Sequence, residues 1–132
     1  MLYNLLVGEW SLEKLYLGNL YKGNAMWYGL DGAGALIYHE DISIVNGRCS
    51  YLYYCMGDRK VEKCFLDGRS FLLLDFKNDQ DIIFAKATHK CNMDVYKATF
   101  YIYSKNSMTI KYNVQGPKKN YEVTNIYSRK KH

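Results

Sequence analysis

The sequence predicts an all-β protein, a single antiparallel up-and-down meander closed into a barrel of about eight to ten strands. Apolar and polar residues alternate along most of the chain, as in strands with one dry face and one wet face. Turn-forming pairs interrupt this alternation roughly every ten to fifteen residues, which is the spacing of a strand meander. These pairs are Gly18-Asn19, Asp31-Gly32, Asn46-Gly47, Gly57-Asp58, Asp67-Gly68, Asn78-Asp79, Cys91-Asn92, Lys105-Asn106 and Gly116-Pro117.

The elements follow in order along the chain. Met1 to Val7 are expected to form a short helical cap whose leucines close one end of the barrel. The only proline, Pro117, lies in a predicted turn, so every strand can donate its backbone hydrogen bonds. A barrel of this kind encloses an interior that is filled by side chains or that holds one ligand. Strands are predicted at residues 8–17, 20–30, 34–45, 48–56, 60–66, 70–77, 81–90, 94–104, 107–115 and 121–129.

Two of these strands, 34–45 and 94–104, carry polar and apolar residues on both faces. In the first, Glu40 shares a face with leucine and isoleucine residues; in the second, Asp94 and Tyr96 share a face with alanine and phenylalanine. A strand with one face in water separates its residues more cleanly. We therefore expect polar groups on the inward face of the barrel.

Composition predicts one domain, residues 1–132, since 48% of the residues are apolar and can form a core. The net charge of +5 is concentrated near the C-terminus, in Lys118, Lys119 and the Arg129-Lys130-Lys131 run. No strand interleaves basic and aromatic residues, so we expect no nucleic-acid binding. No segment is long enough for a transmembrane helix. The oligomeric state is left open.

The cysteines indicate the compartment. The chain has four, Cys49, Cys55, Cys64 and Cys91, and none of them forms a C-x-x-C pair. No secretory segment is apparent at Met1 to Val7. We therefore expect free thiols and a cytoplasmic location.

His89, Cys91, Asp94 and Tyr96 form the most reactive cluster in the sequence. If Asn92 starts the turn of a hairpin, Cys91 faces Asp94 and His89 faces Tyr96 across the ladder. Such a group can hold a polar ligand head, and a His-Asp pair can also act as a general base. The structural alternative is that Asp94 caps the turn, His89 and Tyr96 satisfy each other, and Cys91 is a small hydrophobe.

Metals and cofactors are less well supported. His89 and Cys91 share a face of one strand, and His39 could approach them from another strand. No fourth ligand stands at a spacing typical of metal sites, so no metal is expected. A barrel interior can bind haem through one histidine, and His39 or His89 could serve in that way. Our expectation is that the protein has no cofactor, with haem as an alternative.

The chain ends carry a first resemblance. Gly8-Glu9-Trp10 opens the first long strand and Arg129 closes the last; in a closed meander these strands are neighbours, so the arginine can lie over the indole. This arrangement resembles the calycin superfamily, which includes the lipocalins and the fatty-acid-binding proteins. The resemblance implies a structural role for Gly8, Trp10 and Arg129.

A closer resemblance covers most of the chain. Its three motifs are F-x-D-G-x-x-F beginning at Phe65, H-x-C-x-x-D-x-Y beginning at His89, and G-P-x-K-x-Y beginning at Gly116. Together they resemble an uncharacterised family of small calycin-like proteins. The resemblance implies the barrel fold and no particular activity. Structural roles are expected for the turn residues Asp67, Gly68, Gly116 and Pro117.

We expect the barrel to bind a small, mostly apolar molecule with a polar or acidic head, because such pockets combine apolar lining with a few convergent polar groups. The lysines of the 116–121 loop could attract an anionic ligand. An isomerase or cyclase-like enzyme using His89 and Asp94 is the alternative, and an interaction module with a tyrosine-rich outer face is a third possibility. The residues expected to contact the ligand are His89, Tyr96, Asp94, His39, Arg48 and Asn125.

Overall fold

The computed structural model describes residues 2–30, 34–44 and 47–131, and it is a nearly closed antiparallel barrel with one short helix. The described strands form one 11-stranded sheet in the order β6-β5-β4-β3-β2-β1-β11-β10-β9-β8-β7. The elements are α1 (Leu2–Leu6), β1 (Gly8–Tyr16), β2 (Asn19–Leu30), β3 (Ala35–Ile42), β4 (Arg48–Met56), β5 (Lys60–Cys64), β6 (Ser70–Asp75), β7 (Lys77–Asp79), β8 (Ile82–Cys91), β9 (Asp94–Ser104), β10 (Ser107–Gln115) and β11 (Asn120–Arg129).

The predicted fold class is confirmed. β1 pairs with β11, with Trp10 opposite Arg129, and this pairing joins the two ends of the meander. Every consecutive pair of strands except β6 and β7 forms an antiparallel ladder. β6 and β7 are the two edges of the sheet, and β6 packs beside β8 there.

The strand count is one more than the upper limit of the prediction, because the segment 70–77 is broken at Phe76. This side chain is 3% exposed, and its backbone N–H donates to the Arg59 carbonyl rather than into a ladder. The chain then resumes as β7, which pairs with β8. The turn predicted at Asn78-Asp79 is therefore wrong: the bend follows at Gln80 and Asp81, which have φ angles of +49° and +69°. The predicted turns at Asp31-Gly32 and Asn46, with Met1 of the cap and Val45 of the third strand, lie outside the described residues.

Aromatic side chains fill the end of the barrel nearest α1. The rings of Trp10 and Trp27 lie 6.1 Å apart, edge to face, and Tyr127 lies 5.3 Å from Trp27. Leu2 and Leu6 of the helix are buried, so the predicted cap is confirmed. This half of the interior is therefore a packed core.

Arg129 connects the helix to the barrel wall. Its guanidinium carbon lies 4.3 Å from the centroid of the Trp10 ring, and its three nitrogens donate to the carbonyls of Leu5, Val7 and Lys105 at 2.6 to 2.7 Å. The Trp10 indole donates to Leu6 at 3.0 Å. The carbonyls at the end of a helix lack partners within the helix, and these donors satisfy them.

Gly8 leaves room for this contact. Its φ is +129°, and a Cβ there would lie 2.5 Å from Nη1 of Arg129. A side chain at this position would be strained and would displace the guanidinium.

The four cysteines are free thiols. Within the described ranges, no helix has the length and apolar character that a membrane crossing requires.

Replacing Arg129 with methionine is expected to lower the free energy of unfolding by about 2–4 kcal/mol, since it leaves two partly buried carbonyls without donors and removes the cation–π contact. Urea unfolding followed by tryptophan fluorescence measures this. The matched control is Arg59→Met, which removes an exposed arginine 3.7 Å from Asp75 and is expected to change the value by less than about 0.5 kcal/mol. Equal effects of the two substitutions would contradict the connecting role of Arg129.

Candidate functional site

The end of the barrel opposite α1 contains an interior cavity of about 160 Å³. Successive side chains of a strand point to opposite faces, so alternate residues of several strands converge on it. Its lining combines seven aromatic rings with three charged side chains and one amide. The lining residues are Lys14, Tyr38, Glu40, Cys49, Tyr51, Lys63, Phe71, Tyr96, Tyr112, Val114, Tyr121, Val123, Asn125 and Tyr127.

Lys63 is the most unusual residue of this lining. It lies on the same face of β5 as Val61, and it is only 3% exposed. Its Nζ lies 4.1 Å from the centroid of the Tyr51 ring and 5.0 Å from that of Tyr112, and it donates a hydrogen bond to the Tyr112 hydroxyl. Four more rings lie within about 6 Å of Nζ, those of Tyr38, Tyr53, Phe71 and Phe100.

Burial among these rings lowers the pKa of the Lys63 amine to about 7. The cause is desolvation, which disfavours the charged form of a lysine. The nearby Cys49 and Glu40 oppose this shift and Lys14 adds to it. Lys63 therefore changes its charge near neutral pH.

Glu40 forms the second polar group of the cavity. It is 4% exposed, and its carboxylate pairs with the Lys14 ammonium and accepts a hydrogen bond from the Tyr38 hydroxyl at 2.8 Å. The Tyr38 and Tyr127 hydroxyls lie 2.7 Å apart. This burial of Glu40 confirms the expectation of inward-facing polar groups in the third strand.

Asn125 completes the polar lining. Its side-chain amide donates to the Tyr127 hydroxyl at 3.1 Å, and the residue is 4% exposed. Its Oδ1 atom has no hydrogen-bond partner among the described residues. Buried polar atoms are rarely left unpaired, so this carbonyl is available to a donor that enters the cavity.

Burial also determines the protonation state of the phenols around the cavity. It raises the pKa of Tyr38, Tyr112 and Tyr127 well above the usual value for tyrosine. Burial likewise raises the pKa of Tyr51 to about 12 and that of the Cys49 thiol to about 12. These groups stay protonated at neutral pH, so the phenols can donate hydrogen bonds and Cys49 is not a thiolate.

The cavity continues toward the barrel mouth. A second depression of about 280 Å³ shares Lys14, Glu40, Cys49, Tyr121 and Val123 with it. This outer depression is also lined by Ile44 and Arg48, among other residues.

Lys119 stands on another side of the cavity entrance. Its Nζ donates to the Tyr96 hydroxyl at 3.1 Å and lies 3.3 Å from the Asp94 carboxylate. The hydrogen bond to Tyr96 and the contacts with Asp94 raise the pKa of Lys119. The loop that carries Lys119 begins at Gly116, where a Cβ would overlap the Asp94 carboxylate.

The structure places the predicted hairpin cluster in the expected register. Cys91 is opposite Asp94 and His89 is opposite Tyr96, around Asn92 with φ +57°. The His89 ring packs edge-on against Phe71 at 5.1 Å. Asp94 pairs with Lys119, and no hydrogen bond joins it to His89 within the described part of the chain.

The structure does not bring His39 and Arg48 together with this group. His39 is exposed on the outer face of β3, where Nδ1 lies 2.7 Å from the Ser50 hydroxyl, because the inward positions of β3 are the even ones. Arg48 is largely exposed and pairs with Asp41 at 3.3 Å, lining the outer depression only. Neither His39 nor His89, the two histidines predicted as possible haem ligands, lines the interior cavity.

The predicted turn residues lie in turns and do not line the cavity. Asp67 accepts hydrogen bonds from the backbone N–H and the Nε of Arg69, at 3.0 and 2.7 Å. Gly68 follows with φ +93°. Gly116 donates to the Lys119 carbonyl at 2.7 Å across the loop that contains Pro117.

Sequence reasoning missed Lys63, Lys14 and Tyr112. A signal for Lys63 existed, since a strand over 60–66 places Val61, Lys63 and Phe65 on one face, and a lysine between two apolar residues on a buried face is rare. A similar signal existed for Lys14, because the two-residue period of a strand puts it on the same face as Trp10 and Leu12. Among the described residues, no group of three or more histidines, cysteines or carboxylates could hold a metal ion.

Comparison with known proteins adds a family and a fold. The model of a family of unknown function, DUF6314, matches residues 6–129. No curated protein matches the chain.

Two solved structures are similar to it. A protein of unknown function from the DUF3598 family of Nostoc punctiforme superposes with a TM-score of 0.69 at 13% identity, over 97% of this chain and 49% of that one, so this chain spans about half its length. Fatty-acid-binding protein 1 of Echinococcus granulosus superposes with a TM-score of 0.54 at 15% identity, over 95% of this chain and 97% of that one. At these identities the likeness shows the fold.

The lowered pKa of Lys63 predicts a pH-dependent stability. Between about pH 7 and pH 10.5 the unfolded chain binds the proton that the folded chain has lost, so the contribution of Lys63 to the free energy of unfolding rises with pH in this window. Relative to Lys63→Met, the wild type is expected to gain about 1 kcal/mol per pH unit from pH 7 to pH 9. Urea unfolding at several pH values measures the difference.

Comparing the wild type with Lys63→Met separates the titration of Lys63 from that of the thiols. Burial raises the thiol pKa of Cys49, Cys55 and Cys64, which lowers stability at alkaline pH in both proteins. Lys111→Met is the control, because Lys111 is an exposed lysine 6.0 Å from the Tyr101 ring. A difference between wild type and Lys63→Met that stays constant with pH would show that the amine remains charged in the folded protein.

Proposed function

The chain belongs to DUF6314, a family of unknown function, and we propose that its barrel binds a small, mostly apolar molecule with a polar or acidic head. The observation that carries this proposal is the Lys63 amine, buried at the cavity wall within a group of aromatic rings. A buried lysine is unfavourable unless a partner compensates its charge. An anionic head group is such a partner.

The charges of the cavity favour an anion over a cation. Glu40 and Lys14 neutralise each other as an ion pair. Lys63 is then the one interior charge, among the described lining residues, that no acidic side chain pairs with. An anion next to Nζ would favour the ammonium form, and the Tyr112 hydroxyl would add a hydrogen bond to it.

The walls suit a flat apolar body. Tyr51 and Phe71 stack at 5.9 Å with an interplanar angle of 19°, and Phe71 and Tyr112 stack at 6.3 Å with an angle of 7°. Rings arranged in this way offer both faces and edges to an aromatic or short aliphatic guest. The Asn125 carbonyl supports a ligand that also carries a hydroxyl or amide donor.

The volume limits the size of this ligand. Pockets for drug-sized molecules typically measure about 300–1,000 Å³, whereas the interior cavity measures about 160 Å³. The name of the Echinococcus protein says that it binds fatty acids, which supports an acidic head. We propose a shorter molecule here, one that fills the cavity and extends at most into the outer depression.

The mouth adds hydrogen-bond donors rather than net charge. Lys119 and Arg48 stand at two sides of the entrance, each paired with a carboxylate, Asp94 and Asp41, and Tyr96 links Lys119 to the cavity wall. Their N–H groups can donate hydrogen bonds to an anion that enters. In this proposal Asn125 and Tyr96 contact the ligand, while Asp94 and His89 hold the rim. We also retain the cytoplasm as the proposed location, since the cysteines are free.

Benzoate is a suitable probe, because it combines one ring with one carboxylate. We expect calorimetric titration at pH 6.5 to give a Kd of the order of 1 mM or tighter, and the affinity to fall as the pH rises above about 7, by up to about tenfold per unit, because binding then requires proton uptake by Lys63. Lys63→Met should abolish binding, and Lys111→Met should leave it unchanged.

Two results would contradict the proposal. One is benzoate binding that survives Lys63→Met with no dependence on pH, which would place the carboxylate elsewhere. The other is the absence of binding to the wild type for benzoate and its aliphatic analogues. Native mass spectrometry of gently purified protein provides an independent check, with a co-purifying small molecule as the expected result.

A further inference from the structure

We propose that Lys63 condenses with the carbonyl group of an aldehyde or ketone in the cavity and forms an imine. The inference rests on the proposed function in one respect, namely that a small molecule enters this cavity. It is independent of the acidic head. The geometry that supports it is an amine at the wall of an interior cavity, with one hydroxyl and several rings as its neighbours.

Lys63 differs from the other amine of the cavity. The Lys14 ammonium pairs with the Glu40 carboxylate, which occupies it and favours its charged form. Among the described residues Lys63 has no carboxylate partner, and its polar contact is the neutral Tyr112 hydroxyl. Nothing in its surroundings holds the proton on the nitrogen through an ion pair, so its lone pair can be freed for bond formation.

The fraction of neutral amine decides reactivity. A lysine amine attacks a carbonyl only in its neutral form, and desolvation in an apolar pocket is one way in which proteins obtain it. With a pKa of about 7, roughly half of Lys63 is neutral at pH 7. For a solvent-exposed lysine with the ordinary pKa the fraction is about one in a few thousand.

The reaction balances without an oxidant or a reductant. The Nζ lone pair forms a bond to the carbonyl carbon, and the carbonyl π pair moves to the oxygen, which takes a proton that the nitrogen loses. The nitrogen lone pair of this carbinolamine then forms the C=N bond as the hydroxyl group leaves. The leaving oxygen takes the proton that remains on the nitrogen, so the product is the neutral imine and one water is released for each imine formed.

The surrounding residues favour the product. The Tyr112 hydroxyl, which contacts Nζ and whose pKa is raised by burial, can donate a hydrogen bond to the departing oxygen. The Tyr51 ring, 4.1 Å from Nζ, can stabilise a protonated imine by a cation–π contact. The packed rings limit the access of water, which slows hydrolysis of the imine.

Reductive trapping tests the proposal. Full-length protein is treated with benzaldehyde and sodium cyanoborohydride at pH 7, and peptide mapping locates the added benzyl group of about 90 Da. We expect Lys63 to be modified at least about 100-fold faster than any other lysine, from the difference in neutral fraction. Benzoate, which favours the ammonium form, should slow the modification.

The Lys63→Arg variant separates this proposal from the proposed function. Arginine keeps a cation but is not a nucleophile at this pH, so the variant should still bind benzoate and should lose the rapid modification. Lys63→Met should lose both properties, and Lys111→Met should keep both.

Each remaining outcome is decisive. Uniform, slow labelling of all lysines would overturn the imine, and it would leave the proposed function in place if benzoate still bound through Lys63. Rapid Lys63 labelling without benzoate binding would support the imine and overturn the acidic head. If neither occurred, both proposals would fall.

Discussion

The contact between Arg129 and the N-terminal segment is the interaction on which the rest of the barrel depends. One guanidinium lies over Trp10 and donates to three carbonyls, two of them from the region of α1 and one from the loop between β9 and β10. It therefore holds the first strand, the last strand and the helical cap together at a single point. The β1–β11 ladder closes the sheet beside it. Without this closure, the inward faces of the strands would have no common interior.

Closure at one end explains the asymmetry of that interior. Next to the cap, the rings of Trp10, Trp27 and Tyr127 pack against one another, two of the three contacts edge to face, and fill the space. At the opposite end no helix lies among the described residues, and there the inward positions carry Lys14, Glu40, Lys63 and Asn125 around a cavity. The packed half supplies apolar burial, which stabilises the fold. The open half can then hold polar groups whose burial is unfavourable, and such groups are concentrated at binding sites.

The periodicity of the sequence predicts the fold better than the site. Two-residue alternation and turn chemistry locate ten strands, because both are local properties of the chain. The break at Phe76 escapes this reasoning, since it depends on a backbone bond to Arg59 from another turn. His39 and Arg48 show the limit at the site: strand period leaves two choices of inward face, and only the packed barrel selects the face of Tyr38 and Glu40. The Asn125 side chain, by contrast, lies in the interior of the barrel, and its carbonyl oxygen has no hydrogen-bond partner among the described residues.

Lys63 shows why side-chain chemistry needs the assembled barrel. Its strand period places it inward, yet its lowered pKa comes from burial among rings that five other strands contribute, including Tyr51, Phe71 and Tyr112. A methionine of similar length would fill this position without a charge to desolvate. A lysine there is consistent with a cavity whose occupant sets the protonation state: a carboxylate favours the ammonium, and a carbonyl consumes the neutral amine. Both proposed ligands act on the protonation equilibrium of the Lys63 amine. A rise in pH therefore favours the carbonyl over the carboxylate, and the pKa of Lys63 sets the pH at which this preference changes.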